Sequence, residues 1–289
     1  MELIEAAKSG DLAEVTRLLD SGVDILSRDR NNATALHWSC MEGRLEVTKL
    51  LLKHGTNVND ADICGWTPLH HSCSNGHLEV TTLLLKHDAN INAATDDGQT
   101  PLYWSCFHGY LELTKLLLEC GANVNIADNH LETPLYLSCC DGPLETTKLL
   151  LEHGADVNAV FCFGETALHR SCRNGHLEEI KLLLEHGANV NAMNTYGQTP
   201  LHHSCSNGRL QVTKLLLENR ADTTLLNNEG RTAFSYLNPQ QRREMEAYIQ
   251  ELKRQREEQR LYAMVVLEQQ RSPYFAVEDI GSIITSFLR

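Results

Sequence analysis

Thr67-Pro68-Leu69-His70-His71-Ser72-Cys73 returns unchanged as Thr199-Pro200-Leu201-His202-His203-Ser204-Cys205, four steps of 33 residues further on. The steps between are occupied. A threonine followed by Pro/Ala-Leu stands at Thr34, Thr67, Thr100, Thr133, Thr166 and Thr199, and a variant, Thr232-Ala233-Phe234, closes the series. The same register carries Leu36, Leu69, Leu102, Leu135, Leu168 and Leu201, and Cys40, Cys73, Cys106, Cys139, Cys172 and Cys205. A fixed period of this length marks a stacked array of supersecondary units.

Each unit reads as two helices and a turn. Threonine suits the N-cap and proline the first helical position. In the second unit Gly76 ends the first helix. A second helix, His77 to Leu85, is apolar mainly on one side. In most units a glycine stops that helix: Gly22, Gly55, Gly121, Gly154 and Gly187. A polar Asn-Val-Asn type segment leads to the next turn.

The 33-residue period, the Thr-Pro-Leu-His signature and the Gly-Ala-Asn-Val-Asn endings resemble ankyrin repeats over residues 2–237. The resemblance implies an all-α solenoid with short hairpin turns. It comprises an N-terminal cap repeat (1–28), six full repeats (29–226), a partial seventh (227–238) and a helical C-terminal extension (239–289). Hairpin tips and first helices would line a concave face, and each unit would bury its apolar side only against its neighbours. Helices packed roughly 8–10 Å apart would make the array about 70–80 Å long.

Departures from the repeat are informative. The turn glycine (Gly65, Gly98, Gly164, Gly197, Gly230) is replaced by Asn32 and Leu131, and the helix-ending glycine by Asp88 and Arg220. Leucine and arginine tolerate positive φ poorly, so the units around Leu131 and Arg220 are expected to be softer than the rest. Asn238-Pro239 breaks the seventh unit and starts a new helix over 240–270. Met245, Tyr248, Ile249 and Leu252 share one face. The register slips around Arg256 before Leu261, Tyr262, Val265 and Val266. After Ser272-Pro273 a short helix is expected, with Ile280, Ile283, Ile284, Phe287 and Leu288 on one side. The stretch from Val277 to Leu288 resembles the start of an F-box-like helix, which implies, as the alternative to a protein-protein interaction scaffold, a substrate-recognition adaptor of a ubiquitin ligase. The alternative is a C-terminal cap on the broken unit.

The 289-residue chain has a net charge of −13, all of it in the first 238 residues. That disfavours nucleic acid and anionic membrane surfaces as partners. No apolar run approaches membrane-spanning length. The acidic start Met1-Glu2-Leu3-Ile4-Glu5 lacks a cationic leader region, so a cytoplasmic or nuclear location is expected. Ten cysteines in such a chain read as reduced thiols.

His37/Cys40, His70/Cys73, His169/Cys172 and His202/Cys205 are three apart, the spacing of two metal ligands on a helix. Tyr103 and Tyr136 replace the histidine in two units, which argues for a structural role instead, and no metal or cofactor is expected. No Gly-x-x-x-x-Gly-Lys, Gly-x-Ser-x-Gly or His-Glu-x-x-His motif occurs. An enzyme is therefore not expected.

The family resemblance implies contact residues at hairpin tips and on the open side of first helices. Those slots hold Trp38, Trp66, Asp96, Asp97, Trp104, Phe107, Phe163 and Tyr196, and all three tryptophans of the chain are among them. Large rings on an open face suit an interaction hot spot. Trp38 and Trp104 have the alternative of half-burying against the neighbouring hairpin. Asp96, Asp97, Glu132 and Glu165 at the tips favour a protein partner with basic groups, against the alternative of a merely solvated acidic surface.

Overall fold

A computed structural model describes residues 1–271. The expectations for the short helix and the F-box-like segment, Val277 to Leu288, lie outside the described residues.

The chain forms helix pairs in strict succession. The cap unit pairs Glu2–Ser9 with Leu12–Asp20. Repeats 1 to 6 pair Ala35–Met41 with Leu45–Lys53, Pro68–Ser74 with Leu78–Leu85, Pro101–Phe107 with Leu111–Glu119, Pro134–Asp141 with Leu144–Glu152, Ala167–Asn174 with Leu177–Glu185, and Pro200–Ser206 with Leu210–Glu218. First helices pack on first helices and second on second, which makes a two-layer solenoid. The seventh unit keeps only a 3₁₀ turn, Ala233–Tyr236, before the long helix Pro239–Arg271. No helix among the described residues is long and apolar enough to cross a membrane.

The core is a stack of repeated rungs. Leu36, Leu69, Leu102, Leu135, Leu168 and Leu201 are buried, as are the six ladder cysteines. Burial pushes the Cys40, Cys73 and Cys106 thiols up to about 12, so they are protonated packing groups. Behind them a buried threonine of the second helix donates to a serine of the first, as in Thr48 to Ser39 (3.0 Å) and Thr81 to Ser72 (2.9 Å). Repeat 5 has Ile180 in the threonine slot. Buried Glu179 instead accepts from Ser171 (3.3 Å) and from Thr147 of repeat 4 (3.1 Å).

The signature histidines tie repeats together. In repeat 1 the Thr34 backbone N–H donates to His37 Nδ1 (3.1 Å), and His37 Nε2 reaches the Asp60 carbonyl at the end of the same repeat (3.1 Å). His70, His169 and His202 reach further, to the carbonyls of Gln99, Gln198 and Arg231 in the turn of the following unit. Both ring nitrogens are thus engaged by backbone, which fixes a neutral Nε2–H tautomer. In repeats 3 and 4 tyrosines do the bridging. Tyr103 Oη donates to Glu132 (2.9 Å), and Tyr136 stacks on Phe161 at 4.1 Å.

The substituted glycine sites keep the glycine backbone. Asn32, Asp88, Leu131 and Arg220 have φ of 63°, 62°, 65° and 65°. One more departure was not foreseen. Phe163, in the repeat 5 turn, has φ 63° next to Gly164 at 72°. The cause is Phe161, which stands where other turns have a side-chain acceptor. Asp62 Oδ1, for example, accepts the N–H of Cys64 and Trp66, both at 2.9 Å. The chain of backbone bonds between tips changes at the same place. Asp96 N–H donates to Cys64 O and Asn129 N–H to Asp97 O, but the bond to His130 O comes from Cys162 Sγ (2.9 Å).

The long helix covers the last repeat. Asn238 caps it, accepting from Gln240 (3.0 Å) and Gln241 (2.9 Å). Met245 is fully buried, and Tyr248, Ile249 and Leu252 pack beside it. Arg256 donates to the carbonyls of Leu217 (3.0 Å), which also accepts the Arg220 N–H (3.1 Å), and Glu218 (2.8 Å), where repeat 6 ends without its glycine. Tyr262, Met264 and Leu267 are exposed, because past Arg256 the apolar positions leave the stripe facing the array.

Candidate functional site

The open face formed by first helices and hairpin tips follows a simple local rule. In every repeat but the fifth, where Phe161 stands at the turn, the side chain five before the threonine builds the turn; the residue four after the threonine fills a slot on the first helix. In repeat 1 Asp29 Oδ1 accepts the N–H of Asn31 (2.8 Å) and Ala33 (2.9 Å), while its Oδ2 accepts from Trp38 Nε1 (2.8 Å). In repeat 2 Asp62 Oδ2 lies 3.3 Å from His71 Nε2. In repeat 6 Asn194 Nδ2 lies 3.4 Å from His203 Nε2, and in the seventh unit Asn227 Nδ2 donates to Tyr236 Oη (2.9 Å).

Repeats 3 and 4 break the pairing. Thr95 replaces the acid of repeat 3, so Trp104 Nε1 is buried with no acceptor. In repeat 4 Asp128 Oδ1 accepts the N–H of His130 (2.9 Å) and Glu132 (2.8 Å). Its Oδ2 is buried without a donor, because Leu137 fills the slot. A donor without an acceptor is therefore followed, one repeat on, by an acceptor without a donor.

Across repeats 2 and 3 the same face carries a row of rings. Trp66 meets Trp104 at 4.8 Å and His71 at 5.1 Å. Trp104 meets Phe107 and stacks on His108, both at 5.8 Å, and His108 continues to Tyr110 at 5.6 Å. Tyr103 lies parallel to Phe107 at 6.3 Å. Aromatic pairs of this kind add roughly 0.5–1.5 kcal/mol each beyond burial, so the row is rigid. It is also open: Phe107 is 56% exposed.

The structure thus brings Trp66, Trp104 and Phe107 together, with exposed Asp96 and Asp97 at the tip of repeat 3. Trp38 is held apart, its N–H bonded to Asp29 and its ring under the Lys8 ammonium at 4.2 Å. Phe163 and Tyr196 form a second exposed pair, 5.8 Å apart, at the tips of repeats 5 and 6. Glu165 corrects the expectation of a free acidic tip. It is buried, paired with the Arg173 guanidinium, and 3.5 Å from His203 Nε2. Burial, with the neighbouring His169 and Arg173, lowers His203 to about 3, so its imidazole is neutral. Glu132 is likewise engaged, accepting from Tyr103.

Sequence reasoning missed Asp128 and the part of Tyr103, His108 and Tyr110 in the row. The signal for Asp128 was present: an acid at the turn position opposite a leucine that cannot donate. The others could not be found from the repeat register, since ring-to-ring distances depend on how units stack. Among the described residues no group of three or more His, Cys, Asp or Glu is placed to hold a metal.

A family model of ankyrin repeats matches the chain in three copies, over residues 3–95, 93–161 and 158–227. The crystal structure of the human ASB11 ankyrin repeat domain is similar, with a TM-score of 0.68 and 29% sequence identity. It covers 75% of this chain, and the match takes in 97% of that domain. No curated protein matches the chain.

Proposed function

The chain belongs to the ankyrin-repeat family, and from that premise we propose that it is a non-catalytic scaffold or adaptor that binds a protein partner on its concave face, in the cytoplasm or nucleus. The observation that carries this reading is the continuous row of rings from Trp66 through Trp104 to exposed Phe107. Exposed apolar area of this kind is costly in water and is recovered on docking. A stiff array presents it with little ordering entropy to lose. Asp96 and Asp97 beside it suit a partner with basic groups, and the net charge of −13 opposes nucleic acid and anionic lipid. Phe163 and Tyr196 extend the contact toward repeats 5 and 6, and Trp38 borders it at repeat 1. The cap (1–28), the six repeats (29–226) and the partial unit (227–238) form the binding body, with 239–289 as its extension.

Affinity capture tests this with the intact chain beside a Trp66→Ala, Phe107→Ala double variant whose thermal melt shows it folded. The double variant is expected to recover its partner at least tenfold less well. Equal recovery would remove the site assignment.

A further inference from the structure

We propose that repeat 4 supplies the anchor of this face: the unpaired carboxylate oxygen of Asp128 receives the guanidinium of an arginine carried by the partner protein, laid across Leu137 where the aromatic row ends. The inference rests on the reading of this face as a binding surface and specifies its partner's chemistry.

Asp128 is 4% exposed, yet only one of its oxygens is used. A buried carboxylate oxygen without a donor is among the most unfavourable groups a fold can retain. In repeats 1 and 2 the chain supplies the missing group itself, through Trp38 and His71. In repeat 4 Leu137 has nothing to donate. A ligand that brings a donor recovers an interaction the free protein lacks, and this differential is what binding can use.

The surroundings select the donor. From residue 87 to residue 147 the only Lys or Arg is Lys115, on the second helix Leu111–Glu119. Asp96, Asp97, Asp128 and Glu132 belong to the tips and turns of the same stretch. The acidic tips there favour a cation; the nearest guanidiniums of the chain are Arg170 and Arg173 on the first helix of repeat 5, whose charges are felt at Tyr136, and Arg173 is paired with Glu165. The flanking wall is aromatic on the repeat 3 side, through Trp104, and aliphatic at Leu137. A flat, weakly hydrated guanidinium stacks on such a wall while donating to a carboxylate, whereas an ammonium keeps its water. Access to Oδ2 requires the buried Leu137 side chain to turn aside.

The test uses the full chain labelled with ¹⁵N. Its three tryptophans give three indole N–H signals, and Trp104 is the reporter next to the anchor. The probe is the blocked pentapeptide Gly-Gly-Arg-Gly-Gly, with versions carrying lysine or the uncharged isostere citrulline in place of arginine. The arginine peptide is expected to move the Trp104 signal saturably. The lysine version should bind several-fold more weakly and the citrulline version at least tenfold more weakly. Asp128→Asn keeps the turn, because Asn194 and Asn227 build the same turn in repeats 6 and 7. It should weaken the arginine peptide at least tenfold. An unmoved Trp104 signal, a citrulline or lysine peptide equal to the arginine one, or unchanged affinity in Asp128→Asn overturns the anchor. Protein partners kept by Asp128→Asn but lost by the Trp66/Phe107 double variant would sink the anchor alone and leave the binding face standing.

Discussion

Leu131 holds φ at 65°, a conformation that costs an L-residue roughly 1 kcal/mol. At the same turn position a Cβ on Gly98 would come within 3.0 Å of the Asn129 backbone nitrogen. Leu131 is accommodated where the next tip has changed, with Cys162 Sγ replacing a backbone N–H. Its side chain is 52% exposed and gives little burial in return. Leu131→Gly is therefore expected to stabilise the array by about 0.5–1 kcal/mol, part of the relief being offset by glycine's freedom in the unfolded chain. Thermal unfolding followed by circular dichroism should show a midpoint about 2 °C higher. A lower midpoint would mean that the leucine makes contacts outweighing its backbone strain.

The C-terminal helix shows how an element can finish a solenoid. The seventh unit lacks a second helix, so the last apolar rung of repeat 6 needs another cover. Pro239–Arg271 provides it over its first half, through Met245, Tyr248, Ile249 and Leu252, with Lys214–Glu244 at 2.8 Å along the border. Tyr248 Oη also bonds the Glu218 carboxylate. Met245→Ala should cost about 2–4 kcal/mol, because the residue is fully buried at this junction. Since stability passes only between neighbours, amide exchange should accelerate from about residue 210 to 256 and stay unchanged in repeats 1 to 3. Uniform acceleration along the chain would show that the array unfolds as one cooperative block.

At the scale of the whole molecule the histidine bridges make stability depend on pH, unevenly along the array. Burial lowers His70 and His169 to about 4, and lowers His37 and His202 from their ordinary value. A depressed folded-state pKa means that the unfolded chain binds the proton more readily. The bridges are therefore fully stabilising above about pH 6.5, and the stability is lost as pH falls toward 4, by up to about 1.4 kcal/mol per pH unit for each histidine. Buried Glu179 has the opposite sign. Its pKa is raised by burial, so it gains stability on acidification and offsets part of the loss in repeat 5. Tyr103 and Tyr136 do not titrate in this window, since burial raises both further above their ordinary value. Hydrogen exchange at pH 5 should show repeats 1, 2 and 6 losing protection before repeats 3 and 4. Melting midpoints that do not change between pH 7 and pH 5 would refute this.

The sequence by itself determined the architecture. A period of 33 with the same threonine, leucine and cysteine in each copy leaves one way to bury the apolar side, because every unit offers its neighbour an identical rung. It also located the strained positions apart from Phe163, since positive φ is a local property and the missing glycines at Asn32, Asp88, Leu131 and Arg220 announce it. Only the tertiary structure decided which rings meet, that Trp38 is tied to Asp29 while Trp66 and Trp104 face each other, and that Glu165 is spent on Arg173. It alone showed Asp128 left with one oxygen unsatisfied. These outcomes depend on distances between neighbouring units, and a pairing between a turn and a helix nine residues apart exists only once both are folded against the next repeat.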